Sequence, residues 1–179
     1  SYVGYEQNGS NWWYVYGGQV CFQATDVLPG TVGGQYGWWK VCEGKVNFDD
    51  DVCENAYGWG KITTGKVDFQ YTGLAQNACG WWMIQNGHVN FGSNGLVDNG
   101  NGWWLVKNGG VDFNYNGLVD NGNGWWLIRN GYVDFNYNGL VDNGNGWWLV
   151  KNGCVDFSYQ GYVQNECGVW WVSNGQVQF

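Results

Sequence analysis

Proline and histidine are almost absent from this sequence, and charged residues are scarce. It contains one Pro and one His, and Asp, Glu, Lys and Arg together make up 12% of it. A chain of paired strands has little room for a residue that lacks an amide donor, so the shortage of Pro is consistent with extensive strand pairing. With a single His, we expect neither a zinc site nor His-based catalysis.

Basic residues and long apolar runs are also missing. The sequence has seven Lys and Arg and 15 Asp and Glu, which gives a net charge of -8. Such a surface would repel a phosphate backbone, so nucleic acid is not an expected partner. No apolar run approaches the roughly 18 residues that span a bilayer, so we expect no membrane span. The first residues have neither a basic nor an apolar signal region, so we expect a mature or trimmed soluble segment.

Glycine and aromatic residues are abundant instead, and they recur at regular intervals along the chain. The chain has 32 Gly and 15 Trp, and aromatic residues make up 20% of it. Eight units follow one another, most of them 22 residues apart, and each closes with a V-x-F triplet. The leading aromatic positions are Trp12, Trp38, Trp59, Trp81, Trp103, Trp125, Trp147 and Trp170.

Each unit reads as a β-hairpin, as in "GWWLVKNGGVDFNY". Asn108-Gly109 lies between two runs rich in strand-forming residues, and this dipeptide is the strongest short-range hairpin signal. A lone hairpin is not stable in water, so neighbouring units must bury each other's apolar faces. We therefore predict an all-β repeat solenoid of about eight stacked hairpins. It forms one domain over residues 1–179, with irregular, disulfide-stapled units in 1–80 and regular repeats in 81–179.

Alternation along the first strand of a unit predicts two different tryptophan environments. Trp103 shares a face with Leu105, and Trp104 shares the other with Val106. We predict that the face with Trp103 packs in the core and that the face with Trp104 points outward, near Asp112 on the neighbouring strand. A ring beside a carboxylate suits a sugar, because it offers apolar stacking together with hydrogen bonds to hydroxyls.

Six cysteines without a CxxC motif predict disulfides and hence an exported protein. The sequence does not fix their pairing, since six cysteines allow 15 arrangements. Free buried thiols in a cytosolic protein are the alternative. The pairing that we favour on position is Cys42 with Cys53, Cys154 with Cys167, and Cys21 with Cys79.

Neither a metal nor a catalytic group is predicted. The "DNGNG" segments at Asp98, Asp120 and Asp142 contain possible calcium ligands, but turn chemistry alone explains them. His88 is interpreted as a surface substitution, and the carboxylates recur with the repeat, whereas a catalytic pair is normally unique. We expect no cofactor and no enzymatic activity.

The segment "GWWLVKNGGVDFNYNGLVDNG" resembles the choline-binding or cell-wall-binding repeat of Gram-positive surface proteins. That family is related to streptococcal glucan-binding repeats and to the C-terminal repeats of clostridial toxins. The resemblance implies a β-solenoid of about three hairpins per turn, with ligands held in aromatic notches between hairpins. Where the family has Trp-Tyr-Tyr, this chain has Val111-Asp112-Phe113, which favours sugar or peptidoglycan recognition over choline, whose cation needs several ring faces.

Together these observations predict a secreted or surface-located bacterial module, without enzymatic activity, that binds a cell-wall polymer or another glycan through repeated aromatic sites. An adhesin that binds a host protein, such as an immunoglobulin, is one alternative, and a structural spacer is another. The predicted ligand-binding residues are Trp82, Trp104, Trp126, Trp148, Asp112, Asp134, Asp156, Tyr115 and Tyr137.

Overall fold

The computed structural model describes residues 2–179, which form 24 β-strands joined by turns and contain no helix. The strands come in eight groups of three. Each group, called a repeat here and numbered 1 to 8 along the chain, has an entering strand, a central strand and a short closing strand.

The entering strands are β1 (Val3–Asn8), β4 (Asp26–Val32), β7 (Asp51–Asn55), β10 (Gly73–Asn77), β13 (Gly95–Asp98), β16 (Gly117–Asp120), β19 (Gly139–Asp142) and β22 (Gln160–Asn165). The central strands are β2 (Asn11–Tyr16), β5 (Gln35–Cys42), β8 (Gly58–Thr63), β11 (Gly80–Gln85), β14 (Trp103–Lys107), β17 (Trp125–Arg129), β20 (Trp147–Lys151) and β23 (Gly168–Ser173). The closing strands are β3 (Gln19–Val20), β6 (Lys45–Val46), β9 (Lys66–Val67), β12 (His88–Val89), β15 (Gly110–Val111), β18 (Tyr132–Val133), β21 (Cys154–Val155) and β24 (Gln176–Gln178).

Repeat 6 shows how one repeat is built. Its entering and central strands pair antiparallel with Leu118 opposite Leu127, and its closing strand places Val133 opposite Ile128. The turn before the closing strand is Asn130-Gly131, with φ of 50° and 77°, so both residues take the left-handed conformation that a tight two-residue hairpin needs. The predicted Asn-Gly hairpins are confirmed. The entering strand was not predicted, because only four residues separate its glycine-rich flanks.

Consecutive repeats are joined by the closing strand, which pairs with the central strand of the repeat before it. Tyr132 lies opposite Trp104 in this pairing, and Cys154 lies opposite Trp126. The turn glycine takes part as well, since the amide of Leu105 donates to the carbonyl of Gly131 at 2.8 Å. Each closing strand therefore serves two repeats at once.

The chain divides into two compact units. The first runs to Gly92 and includes Asn108–Gly110, and the second comprises Ser93–Lys107 and Val111–Phe179. In both, the buried clusters draw on successive repeats. In the second unit, Leu105 of repeat 5 packs with Ile128 and Val133 of repeat 6, and both partners are fully buried. Within each unit the hairpins stack, and the predicted all-β solenoid is confirmed.

The expectation of an inward and an outward tryptophan was wrong. Leu105 is 3% exposed and Val106 is 0% exposed, so both faces of the central strand are covered. Trp103 and Trp104 are both half-buried. Two-residue alternation assigns the faces of one strand correctly, but it does not show that neighbouring repeats cover both of them.

The predicted disulfides were also wrong, because all six cysteines, which lie in the described part of the chain, are free thiols. Cys154 lies on the closing strand that pairs with β17, while Cys167 lies in the turn of the next repeat. Cys53 packs with Val27, Ile62 and Val67 in a buried cluster instead of bonding to Cys42. The remaining two, Cys21 and Cys79, lie three repeats apart.

A search of the described residues for a helix of membrane-spanning length and hydropathy finds none.

We predict that Gly131→Ala destabilises the protein far more than Gly18→Ala. Gly131 is buried, and a Cβ there would lie 2.5 Å from the carbonyl oxygen of Asp112 and 3.0 Å from the Cα of Phe113, both in the preceding repeat. Gly18 also has a left-handed φ, but nothing lies within 4 Å of a Cβ there. Both variants carry strain of about 1–2 kcal/mol, and only Gly131→Ala adds a clash of about 1–3 kcal/mol.

The measurement is the urea concentration at which half of each variant is unfolded, with tryptophan fluorescence as the signal. Equal shifts for Gly131→Ala and Gly18→Ala would show that the glycine is needed only for its turn conformation and not for contact between repeats.

We also predict six free thiols of unequal reactivity. Burial raises the pKa of the Cys53 thiol to about 12, and contact with Asp51 adds to this, so little reactive thiolate forms at pH 8. Iodoacetamide at that pH should label exposed Cys79 and Cys167 before Cys53, as followed by peptide mass spectrometry. In denaturant without reductant all six should be labelled; fewer than six would restore the disulfide interpretation.

Candidate aromatic binding notches

The second tryptophan of each regular repeat meets the phenylalanine of the V-x-F triplet in the same repeat. The ring centroids of Trp126 and Phe135 are 5.6 Å apart, and those of Trp148 and Phe157 are 5.7 Å apart, in both cases edge to face. This is a favoured geometry for aromatic pairs. Phe135 is 36% exposed and Phe157 is 42% exposed, so each pair reaches the surface.

The first tryptophan of a repeat contacts the second tryptophan of the next one. Trp103 lies 5.7 Å from Trp126, and Trp125 lies 5.0 Å from Trp148, measured between ring centroids. Trp125 also meets Phe157 edge to face at 5.7 Å. We call each such group of three rings, two of them from one repeat and one from the repeat before it, an aromatic notch.

The notch recurs at the end of the second unit and in the first unit. Trp147, Trp170 and Phe179 line a small apolar space, with Leu140 and Val177 among its walls. In the first unit, Trp59 stacks on Trp82 at 6.4 Å, and Trp82 meets Phe91 edge to face at 5.9 Å. The predicted ligand-binding tryptophans Trp82, Trp126 and Trp148 therefore each belong to a notch. Trp104 makes the corresponding contact with Phe113 at 5.6 Å.

Indole hydrogen bonding differs between repeats. The Nε1 of Trp82 donates to the Oδ1 of Asn77, and the Nε1 of Trp170 donates to Asn165, both at 2.9 Å. The Nε1 atoms of Trp126 and Trp148 are buried and have no hydrogen-bond partner among the described residues. In repeats 6 and 7 the second tryptophan is therefore held in its notch by ring packing and not by a hydrogen bond from its indole.

The structure places the predicted aspartates and tyrosines in a different group, around a basic side chain. Asp112 pairs with the Nζ of Lys107 at 2.9 Å, and that nitrogen lies 4.2 Å from the centroid of the Tyr115 ring. The same group recurs in the next two repeats, and we call the three groups the cation ladder. Its other members are Arg129, Asp134 and Tyr137, and Lys151, Asp156 and Tyr159.

Local hydrogen bonds hold the ladder in place. The hydroxyl of Tyr115 donates to the carbonyl of Leu118 at 3.1 Å, and the Tyr137 hydroxyl donates to Leu140 in the same way. The hydrogen bond from Lys107 lowers the pKa of Asp112, so this carboxyl is charged at neutral pH. The ladder uses both the carboxylate and the tyrosine hydroxyl within the fold, which separates these residues from the notches.

The single histidine lies beside an aromatic ring. The rings of His88 and Phe69 are 5.6 Å apart, and His88 is exposed on β12. Across residues 2–179, no group of three or more His, Cys, Asp or Glu residues could hold a metal ion.

Sequence reasoning missed the V-x-F phenylalanines as site residues, and it misaligned the last repeat. Trp170 lies opposite Val163 as Trp148 lies opposite Val141, so Trp170 is the second tryptophan of its repeat and not the first. The signal was present in the V-x-F spacing. Phe157 and Phe179 are 22 residues apart, whereas the aligned tryptophans Trp147 and Trp170 are 23 apart.

Comparison with solved structures finds distant relatives. Choline-binding protein F from Streptococcus pneumoniae is 18% identical, with a TM-score of 0.36, and the alignment covers 96% of this chain and 58% of that one. CbpJ from the same organism gives the same four values. Alternansucrase in complex with isomaltononaose is 12% identical over 98% of this chain and 16% of the enzyme, with a TM-score of 0.34. The chain thus spans little more than half the length of these choline-binding proteins.

Comparison with curated protein sequences finds no match. Five stretches of the chain do match the sequence profile of the choline-binding repeat, namely residues 1–21, 70–90, 92–112, 114–134 and 136–156. Together they cover more than half of the sequence, and they include the strands that carry the two-repeat contacts described above. The chain belongs to the choline-binding repeat family.

Proposed function

We propose that this chain is a non-enzymatic module of the bacterial cell surface that binds cell-wall glycan through its aromatic notches. The observation that carries the proposal is the recurrence of one three-ring group between successive repeats. Membership of the choline-binding repeat family supports a role at the cell wall.

The notches suit the apolar face of a sugar ring. Trp125, Trp148 and Phe157 meet at centroid distances of 5.0 to 5.7 Å and present both ring faces and ring edges. Sugar C–H groups stack on such rings, while their hydroxyls stay hydrated at the rim. Phe157 is 42% exposed, so a bound sugar would remove apolar surface from water.

The phenylalanines also form a repeated exposed surface. Phe113, Phe135 and Phe157 are 40%, 36% and 42% exposed at the same position of three successive repeats. A spacer would gain solubility from polar residues at these positions, whereas exposed apolar patches mark interaction sites. This distribution supports a binding role over a purely structural one.

Charge and number refine the proposed ligand. A chain of net charge -8 repels polyanions, so a neutral glycan strand is the favoured part of the wall. Each notch is shallow and would bind weakly, but several notches in one chain raise the effective concentration for a repetitive polymer.

We predict that removing notch phenylalanines weakens wall binding without unfolding the protein. The triple variant Phe113→Ala, Phe135→Ala, Phe157→Ala should bind purified peptidoglycan sacculi about tenfold more weakly, as measured by co-sedimentation. These side chains are partly exposed, so their loss costs less stability than loss of the tryptophans. The matched control is Tyr36→Ala, since Tyr36 is 72% exposed on β5 and belongs to no notch defined above. It should bind like the original chain.

Competition separates the possible ligands. Soluble peptidoglycan saccharides should release the protein from sacculi, and choline chloride should not. Release by choline alone would show that the ligand is a quaternary ammonium group and not a glycan. Binding that resists both competitors and the triple variant would contradict the notches as the site.

A further inference from the structure

Two lysines, one buried and one half-buried, occupy a central-strand position that other repeats fill with apolar or aromatic side chains. In repeats 1 to 7 the same central-strand amide donates to the turn glycine of the next repeat, and this bond identifies equivalent positions. Lys40 donates to Gly65 and Lys61 donates to Gly87, as Leu105 donates to Gly131, all at 2.8 Å. The equivalent residues elsewhere are Tyr14, Met83, Leu127 and Leu149.

Each lysine is neutralised by an aspartate from the start of repeat 3. The Nζ of Lys40 lies 2.6 Å from Asp51, and the Nζ of Lys61 lies 3.3 Å from Asp50. The Lys61 ammonium also donates to the carbonyl of Ile62 at 2.6 Å. Its side chain is only 10% exposed, whereas that of Asp50 is 63% exposed.

Lys40, Asp50 and Asp51 keep their charge at neutral pH. Burial is the largest single influence on Lys40 and lowers its pKa, but the hydrogen bond to Asp51 and the charge of Asp51 together raise the pKa above its ordinary value. The backbone amide of Thr64 and the ammonium of Lys61 lower the pKa of Asp50, although slight burial opposes them. The cleft that they border therefore contains fixed charges of both signs at neutral pH.

Stability does not account for these lysines. Desolvating an ion pair is costly, and replacing a buried pair by apolar residues is often neutral or stabilising. This chain has the apolar solution at hand, because Met83 fills the equivalent position one repeat later. Where a local rule of packing is broken in two neighbouring repeats, a functional reason is the physical expectation.

The lysines and their partners line an open cleft in the first unit. Its walls include Lys40, Asp49, Asp50, Asp51, Lys61, Gln76 and Trp81. Gln76 and Trp81 lie opposite each other on β10 and β11. The cleft thus carries an indole ring and an amide from β10 and β11, together with two ammonium and three carboxylate groups.

We infer that this cleft is a second glycan site, specific for a neutral oligosaccharide and recognising its hydroxyl groups. Carboxylates accept hydrogen bonds from sugar hydroxyls, ammonium groups donate to sugar oxygens, and an indole stacks on the C–H face. The two ion pairs cancel and Asp49 adds one negative charge, so a neutral ligand is favoured over an anionic one. The inference does not depend on the notches, because the charged residues that define the cleft belong to none of them.

The test is an NMR titration of the full chain with three neutral hexasaccharides, isomaltohexaose, cellohexaose and chitohexaose. The indole signal of Trp81 reports the cleft, and that of Trp148 reports a notch. At least one hexasaccharide should shift the Trp81 signal. In Lys61→Met the dissociation constant read at Trp81 should rise about tenfold, because a buried charged donor is lost.

The variant is chosen to preserve the fold. Met already occupies the equivalent position in repeat 4, and the exposed Asp50 carboxylate left behind can be hydrated. An unchanged or higher melting temperature checks this. The matched control is Lys107→Met, which removes the same charge from the cation ladder and should leave the Trp81 titration unchanged.

Each outcome distinguishes the two sites. Shifts at Trp148 without shifts at Trp81 would overturn the cleft and leave the notches standing. A Trp81 titration that is the same in the Lys61→Met chain would show that the charged groups take no part in recognition. A shift at Trp81 that is lost in Lys61→Met and retained in Lys107→Met would support the cleft, whatever happens at the notches.

Discussion

The rest of the structure depends on one hydrogen bond, from a central-strand amide to the carbonyl of the turn glycine in the following repeat. It recurs at 2.7 to 2.8 Å, from Tyr14, Lys40, Lys61, Met83, Leu105, Leu127 and Leu149 to Gly44, Gly65, Gly87, Gly109, Gly131, Gly153 and Gly175. The turn can approach this closely only because glycine has no side chain. A Cβ at this position would clash with the backbone of the previous repeat. The glycine therefore sets both the hairpin turn and the spacing between hairpins.

That spacing produces the notches. Because each closing strand pairs with the preceding central strand, the first tryptophan of one repeat meets the second tryptophan of the next. No single repeat contains a complete notch. The same register explains the charged cleft. Lys40 and Lys61 make the same backbone bond as Leu105 does in its repeat, and this bond does not depend on the side chain at that position. One backbone arrangement thus supports an aromatic type of site and a polar type.

Much of the fold followed from local signals in the sequence. Asn130-Gly131 needs positive φ at both residues, and few other dipeptides allow it, so the hairpin turns could be located by residue type alone. The site was less predictable. Alternation placed Trp103 and Trp104 on opposite faces, but their burial depends on the next repeat, which a pattern within one strand does not describe. Asp112 was predicted to lie in a sugar site, and its salt bridge to Lys107 was not foreseen. That contact is set by the geometry of the hairpin, which residue order does not show. The cysteine pairing failed because position along the chain did not show which repeats the thiols contact.

Amide hydrogen exchange tests the central claim most directly. If turn-to-strand bonding holds the repeats together, the amides of Leu105, Leu127 and Leu149 should exchange as slowly as the hydrogen-bonded amides within a hairpin, since they open only when two repeats separate. Exchange of these three amides at the rate of exposed loop amides, while the hairpin amides stay protected, would contradict the account. It would mean that hairpins form without stacking and that no notch is assembled.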